Sequence, residues 1–281
     1  MTTATATELA TVEELARYAR ATALKVINRT GIGHAAADMS AADILAVLYG
    51  AVLDVSPAGW DDNERDRFVC SKSHASGALY SVLAWKGFLP EDELYSYGQP
   101  GSRLCTAVSS RLDGVEFSTG ALGHGLPFAV GAAIAARLDG SPRRVYVMTG
   151  DGELQEGSNW EAAMLAATRE LDNLTLVVDR NRVQKGASTE DINALEPLRG
   201  KFETFGWAVR EVDGHDPGEL LEAFRATPFE PGRPSCVLAE TVKGKGVSFM
   251  ENHLEWHSKR LTDADMERAL AEIWGDDPDA G

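Results

Sequence analysis

Two short apolar segments with a helical pattern between them constrain the fold of this 281-residue chain more than any other feature. Residues 145–148 and 174–178 are continuous apolar runs of strand length. Residues 153–170 between them place apolar side chains on one helical face. A strand, a crossover helix and a second strand form a βαβ unit, whose strands are parallel. The chain is therefore predicted to contain a parallel sheet.

The remaining elements are predicted from the same patterns. Short apolar runs predict further strands at residues 67–70, 208–212 and 236–239. Helical spacing predicts helices that begin at Ser40 and after His74, and helices that span residues 126–138 and 217–226. Thr11 and Glu14 have the spacing of a capping box, so a first helix is predicted over residues 11–28. Residues 98–115 have no periodicity and predict a long loop.

These elements predict one α/β domain across residues 1–281, because the sequence has no internal repeat and no strong linker. The expected architecture is a doubly wound, mostly parallel sheet with helices on both faces. A C-terminal tail is expected from about residue 260, with a frayed end from Gly275.

The net charge of −16 limits the classes of partner. It argues against nucleic acid and against anionic membranes, which need a basic surface. The negative charge does not exclude a phosphorylated ligand, because backbone N–H groups can bind phosphate locally. Cys70, Cys105 and Cys236 match no disulfide or zinc spacing, and residues 1–10 lack the features of a signal peptide. A cytoplasmic location is expected.

Polar residues follow both strands of the βαβ unit. Gly150-Asp151-Gly152 follows the first strand, and Asn181 follows the second. Ligands of open α/β sheets bind at the carboxyl ends of the strands, so these residues are expected to lie close together. The Asp151 carboxylate, the Asn181 amide oxygen and the Val183 carbonyl suit Mg²⁺, which shares its coordination with phosphates. Gly152 lacks a Cβ, so a diphosphate can approach the backbone there.

Histidines form the second signal. Four of the six lie beside glycines or other polar loop residues: His34, His74, His124 and His257. A single loop histidine is more often a surface residue, but imidazole suits a site that moves protons at neutral pH. His253 and His257 leave a zinc site open as an alternative, without a third ligand. Residues 31–36 imitate a dinucleotide fingerprint, but they follow a predicted helix and not a strand.

Residues 150–185 closely resemble the thiamine-diphosphate motif of transketolases, from Gly-Asp-Gly-Glu-Leu-Gln-Glu-Gly-Ser-Asn-Trp to Val-Asp-Arg-Asn-Arg-Val-Gln-Lys. The resemblance covers nearly the whole chain. Four further segments occur in the family's order: residues 30–49, 67–83, 114–133 and 241–259. The resemblance implies a thiamine-diphosphate-binding fold with thiamine diphosphate and Mg²⁺ as cofactors. It also implies that this chain is the N-terminal, diphosphate-binding subunit of a split transketolase.

The resemblance further implies roles for individual residues. The metal ligands map to Asp151, Asn181 and Val183, and catalytic proton transfer and hydroxyl positioning map to His34, His74 and His257. Cofactor contacts map to His74, Gly120, Ala121, Leu122, Gly150, Gly152, Glu153, Asn181, Lys243 and His257.

The implied reaction is transfer of a two-carbon ketol unit from a ketose, possibly phosphorylated, to an acceptor. In the family a second domain supplies the glutamate that activates the cofactor. A separate C-terminal subunit, which binds the pyrimidine half, is therefore the expected partner, with two copies of each chain. Glu156 and Glu161 match family residues at the subunit contact, although both also fit a solvated helix face.

The sequence departs from the family pattern near the substrate. Residues 105–108 (Cys-Thr-Ala-Val) stand where the family has Gly-His-Pro, His124 replaces a Gln, and Ser258 replaces a Gly. These departures leave the donor and acceptor open, including a 2-keto acid as substrate and a carrier-protein thiol as acceptor. The alternatives are a 2-keto-acid dehydrogenase or decarboxylase component and, in another class, a non-catalytic cofactor-binding regulatory subunit.

Overall fold

A five-stranded sheet forms the centre of the protein, in a computed structural model that describes residues 4–275. The strands are β1 (Arg67–Cys70), β2 (Val145–Gly150), β3 (Leu174–Arg180), β4 (Ala208–Asp213) and β5 (Ser235–Glu240). Every pair is parallel, in the order β1-β2-β3-β5-β4. Gly150 pairs with Asp179, and Arg180 pairs with Glu240. The carboxyl ends of β2, β3 and β5 therefore meet at one edge, as predicted for the first two.

Helices cover both faces of the sheet. They are α1 (Ala6–Thr30), α2 (Ala35–Val47), α3 (Ser76–Trp85), α4 (Gly125–Leu138), α5 (Gly157–Thr168), α6 (Thr189–Asn193), α7 (Leu198–Thr204), α8 (Pro217–Arg225) and α9 (Asp263–Trp274). Tyr146 and Met148 pack with α1, α2, α3 and α8, whereas Val145 and Val147 pack with α4, α5 and α7. Successive strand residues point to opposite faces, so both faces are apolar. The doubly wound α/β prediction is confirmed.

The predicted start of the first helix at Thr11 is wrong. The helix α1 begins after Thr5, which forms the capping box with Glu8. Thr11 lies inside the helix, where its Oγ1 donates to the Thr7 carbonyl at 3.0 Å. The sequence contains two Thr-x-x-Glu patterns six residues apart, and local spacing alone does not choose between them.

The predicted start of the second helix at Ser40 is also wrong, because α2 begins at Ala35. The helix starts inside an alanine run that has no apolar-polar periodicity, since every residue of α2 is buried. Residues 35–52 are long and apolar enough to cross a membrane by composition, but 83% of this segment is buried inside the domain. It forms a core helix.

The predicted helix over residues 153–170 consists of two elements. A single turn of 3₁₀ helix spans Gly152–Gln155, and α5 follows after Glu156, whose backbone is extended. The Leu154 N–H donates to the Asp151 carbonyl at 2.9 Å, which tightens the turn directly after β2. This turn keeps the end of β2 beside the edge of the sheet.

The tail predicted from about residue 260 is wrong, because α9 lies there. A capping box between Thr262 and Asp265 begins this helix. Ala269 and Ile273 pack in one cluster with Leu24 of α1. The frayed end predicted from Gly275 concerns residues that lie almost entirely outside the described range.

Candidate active site

A cavity of about 470 Å³ lies at the carboxyl ends of β2 and β3. Most of the residues predicted for the site line it, including Asp151, Asn181, Val183, His74, His257 and Lys243. They come from four separate parts of the chain. The parallel topology therefore assembles one site from distant segments.

Asp151 is fixed at the end of β2. Its Oδ1 accepts from the Gly152 N–H at 2.7 Å, and its Oδ2 accepts from the Arg182 N–H at 2.5 Å. Arg180 Nη1 lies 3.2 Å from the same Oδ2. The side chain is almost fully buried, and this burial raises the pKa of the Asp151 carboxyl group. These donors hold the carboxylate in one orientation against the wall of the cavity.

Asn181 and Val183 follow β3. Asn181 Nδ2 donates to Asp179 Oδ1 at 3.0 Å, so the direction of the amide group is set by Asp179. Its Oδ1 accepts from the Val183 N–H at 3.1 Å. The Val183 carbonyl accepts from Lys243 Nζ at 3.0 Å. The three oxygens predicted as metal ligands thus belong to residues that line the same cavity.

Three histidines form a cluster beside these oxygens. The ring centroids of His34, His74 and His257 lie 5.4–5.7 Å apart. His34 precedes α2, His74 precedes α3, and His257 ends a 3₁₀ turn. Burial, followed by the charges of nearby lysines, lowers the pKa of all three, and that of His257 falls to about 4. The cluster is therefore neutral at pH 7.

Two buried lysines provide the cationic groups of the cavity wall. Lys243 Nζ lies 3.1 Å from His257 Nδ1, and burial together with the charge of Lys72 lowers the pKa of Lys243 to about 8. Lys72 donates to the Ala37 carbonyl, to Ser40 Oγ and to Asp179 Oδ2. The individual role of Lys72 was not predicted. Its place two residues after the predicted strand over residues 67–70 was the available signal in the sequence.

Glu153 lines the cavity, but protein donors occupy its carboxylate. Its Oε1 accepts from Ser71 Oγ at 2.5 Å and from the Gly123 N–H at 3.0 Å. Its Oε2 accepts from the Gly150 N–H at 3.3 Å. Glu153 therefore ties the glycine-rich turn before α4 to the end of β2.

The other predicted positions differ in their relation to the cavity. Leu122 lines it, and Gly120 and Ala121 lie in the same exposed turn. A Cβ at position 152 would lie 3.0 Å from Gln184 Oε1. A ligand can therefore reach the Gly152 backbone only through a narrow space. His124 is exposed and does not line the cavity. Within residues 4–275, no group of three His, Cys, Asp or Glu side chains is arranged to hold a metal. The structure therefore provides no third ligand for a zinc site at His253 and His257 among these residues.

Known proteins resemble this chain along almost its full length. The family profile "Transketolase, thiamine diphosphate binding domain" matches residues 11–281. The chain is 44% identical to one subunit of the apulose-4-phosphate transketolase of Actinobacillus succinogenes, over 93% of this chain and 96% of that protein. It is 40% identical to the SqwG subunit of the 6-deoxy-6-sulfo-D-fructose transketolase of a Clostridium species, with the same coverage. The structure of transketolase from Leishmania mexicana superposes with a TM-score of 0.87 at 29% identity, over 97% of this chain and 42% of that one.

Proposed function

The chain belongs to the transketolase family, through its thiamine diphosphate-binding domain, and on that premise we propose that it is the diphosphate-binding subunit of a two-chain transketolase. Its reaction is transfer of a two-carbon ketol unit from a ketose donor to an acceptor. One observation carries the proposal. Three predicted oxygen ligands, the buried Lys243 and the imidazoles of His74 and His257 line one cavity at the edge of the sheet. His34 does not line the cavity, but its ring packs against both of these imidazoles.

The residues of the cavity fit thiamine diphosphate and a divalent cation. Asp151, Asn181 and Val183 offer carboxylate, amide and carbonyl oxygens, which suit Mg²⁺. Gln184 Oε1 is buried beside Gly152 and has no hydrogen-bond partner among the described residues. This oxygen can only accept, so it fits a hydrogen-bond donor or a cation at this point and not a phosphate oxygen. The proposed cofactor contacts are His74, Gly120, Ala121, Leu122, Gly150, Gly152, Asn181, Lys243 and His257.

When bound, thiamine diphosphate supplies the nucleophilic carbon and the electron sink for cleavage beside a ketone. The chain's own histidines handle protons and hydroxyl groups. His34 and His257 are neutral at pH 7, because burial lowers the pKa of both rings. Nδ1 of His257 accepts from Lys243 Nζ, so Nε2 of His257 carries the proton and donates to a substrate oxygen. Nδ1 of His34 is buried without a partner among the described residues, which supports a role in binding a hydroxyl group.

A second chain is proposed to complete the site. Two relatives of matching length are each named as one subunit of a transketolase, whereas this chain covers 42% of the transketolase of Homo sapiens. Leu122 in the cavity lining and Phe128 in α4 expose 42% and 37% of their surface. Glu156 and Glu161 are also exposed at the beginning of α5. These side chains support a contact with a C-terminal, pyrimidine-binding subunit in an assembly with two copies of each chain.

The proposed donor is a ketose that carries an anionic substituent. The relatives described above are named for a phosphorylated sugar and a sulfonated one. Lys185 lines the cavity, is exposed, and makes no hydrogen bond or ion pair with the other described residues. None of residues 105–108 lines the cavity. A lysine at the cavity wall therefore supplies a free positive charge for such a substituent.

An assay of the chain with and without its co-purified partner subunit tests this function. With thiamine diphosphate, Mg²⁺, a panel of ketose phosphates as donors and an aldose as acceptor, the chain alone is expected to be inactive. The complex is expected to produce an aldose two carbons shorter than the donor. Full activity of the single chain would contradict the two-chain proposal. Release of carbon dioxide from pyruvate, without ketol transfer, would contradict the reaction itself.

A further inference from the structure

His215 joins two parts of the molecule behind the cavity. It lies in the turn between β4 and α8, and its Nδ1 lies 2.6 Å from Asp43 Oδ2 in α2. The Val242 N–H donates to its Nε2 at 2.8 Å. A backbone N–H can only donate, so Nε2 carries no proton and Nδ1–H donates to Asp43. These two contacts define a neutral ring in one tautomer and one orientation.

Asp43 is itself held from the opposite side. Arg20 in α1 makes two hydrogen bonds to its carboxylate, and Arg20 Nε donates to the Met39 carbonyl at 3.2 Å. The side chains of Arg20, Asp43 and His215 are each at most 9% exposed. Buried, mutually bonded groups of this kind have little freedom to rotate. The imidazole therefore presents Nε2 to Val242 from a rigid support.

Val242 directly precedes Lys243, whose Nζ lies 3.0 Å from the Val183 carbonyl. The neighbouring amides have backbone acceptors: Thr241 N–H donates to Arg180 O at 3.1 Å, and Gly244 N–H donates to Ala36 O at 3.0 Å. Among the described residues, the Val242 N–H has His215 as its partner. The imidazole thus orients the backbone one residue ahead of the lysine.

We propose that His215 is a positioning residue for Lys243. Its Nε2 fixes the segment after β5, so that the lysine ammonium group reaches the metal-ligand carbonyl and His257. His215 does not line the cavity, so it acts through Val242 and Lys243. The inference rests on the proposed cofactor contact of Lys243.

Two substitutions test the roles of Nε2 and Nδ1 of His215 separately. His215→Gln places an acceptor near the position of Nε2, whereas His215→Asn places a donor near the position of Nδ1. Calorimetric titration of the complex of this chain and its partner subunit with thiamine diphosphate, at saturating Mg²⁺, is the measurement. We expect the Asn variant to bind five- to tenfold more weakly, from the loss of one buried hydrogen bond. The Gln variant should stay within about twofold of the unmutated complex. Equal losses, or a larger loss for Gln, would overturn the proposal.

A measurement on the unmutated chain keeps the test independent of variant folding. In ¹⁵N NMR spectra we expect the Nδ1–H tautomer for His215 and slow exchange of the Val242 amide. An Nε2–H tautomer, or exchange as fast as in exposed loops, would also overturn the proposal. Lys243→Met tests the underlying cofactor contact separately. If that variant binds the cofactor normally, Lys243 does not contact the cofactor. The NMR result still decides whether His215 holds the segment after β5.

Discussion

Asp151 and Asp179 stand at the ends of neighbouring strands, yet their surroundings differ. Asp179 is fully buried and accepts from Lys72 Nζ at 2.5 Å, from Thr241 Oγ1 at 2.5 Å and from Asn181 Nδ2. Burial acts to raise its pKa, but the lysine charge and these hydrogen bonds outweigh burial and lower the pKa to about 2. Asp151 instead faces the cavity, and burial raises its pKa above the usual value.

The contrast separates a residue that stabilises the fold from one that is available to a ligand. Asp179 has a cation in direct contact, so its charge is compensated inside the protein. Asp151 also contacts a cation, the Arg180 guanidinium group at 3.2 Å, but Arg180 is shared with Glu190 and Glu196, and Asp151 lines the cavity. An external cation would supply the missing charge. Identical side chains at adjacent strand ends thus have different roles, because different residues surround them.

The largest effect is expected from Lys72→Met. This change leaves the Asp179 carboxylate buried without its cation, which costs about 3–5 kcal/mol in the free energy of unfolding. Urea denaturation of the full chain measures it. Lys185→Met is the matched control, because Lys185 is exposed and unpaired among the described residues, and it should change stability by less than about 0.5 kcal/mol. A loss below about 1 kcal/mol for Lys72→Met would show that Asp179 does not depend on this pair.

Asp151→Asn should have the opposite pattern of effects, with a large change in cofactor binding and a small change in stability. Loss of one carboxylate ligand is expected to weaken Mg²⁺-dependent uptake of thiamine diphosphate by about 100-fold, which is about 2.7 kcal/mol. Stability without ligand should change by less than about 1 kcal/mol, since Arg180 keeps Glu190 and Glu196 as partners. Calorimetry with Mg²⁺ present measures the uptake. Equal uptake by the variant and the unmutated complex would remove Asp151 from the metal site.

Acid should act on Asp179 through its lowered pKa. The folded pKa lies near 2 against a usual value of 3.8, so the carboxylate favours the folded state above pH 4. This contribution, about 2 kcal/mol, should be lost as the pH falls from about 4 to about 2. Denaturation curves across this range measure the loss. In Lys72→Met the free energy of unfolding should fall much less over this pH range. A loss as large as in the unmutated chain would contradict the role of the Lys72–Asp179 pair.

The smallest effect is expected from Gly152→Ala. The new Cβ would lie 3.0 Å from Gln184 Oε1, the end of a flexible side chain, so stability should change by less than about 0.5 kcal/mol. Cofactor affinity should fall about tenfold, or about 1.4 kcal/mol, because the approach to the backbone is narrowed. Gly186→Ala is the control, since its Cβ would meet Ile192 only at 3.8 Å. Equal affinities of the two variants would exclude a close approach of the cofactor at Gly152.

The sequence predicted the parts of the site that follow from the βαβ unit. Asp151 and Asn181 lie close together because parallel strands end at one edge. The clustering of His34, His74 and His257 depends on contacts across more than 180 residues, and only the resemblance to transketolases suggested it. The capping pair of α1 and the helix α9 were missed, because local patterns did not choose the correct start or reveal the packing surface on α1.

The strands, their parallel direction and the oxygen-bearing residues at the sheet edge follow from apolar periodicity and from residue types at strand ends, which are local properties of the chain. The tertiary structure decides which carboxylate is compensated by a lysine, which imidazoles are neutral and which amide His215 binds. Desolvation and Coulomb interactions depend on distances between groups far apart in sequence, and those distances exist only after the helices pack on the sheet.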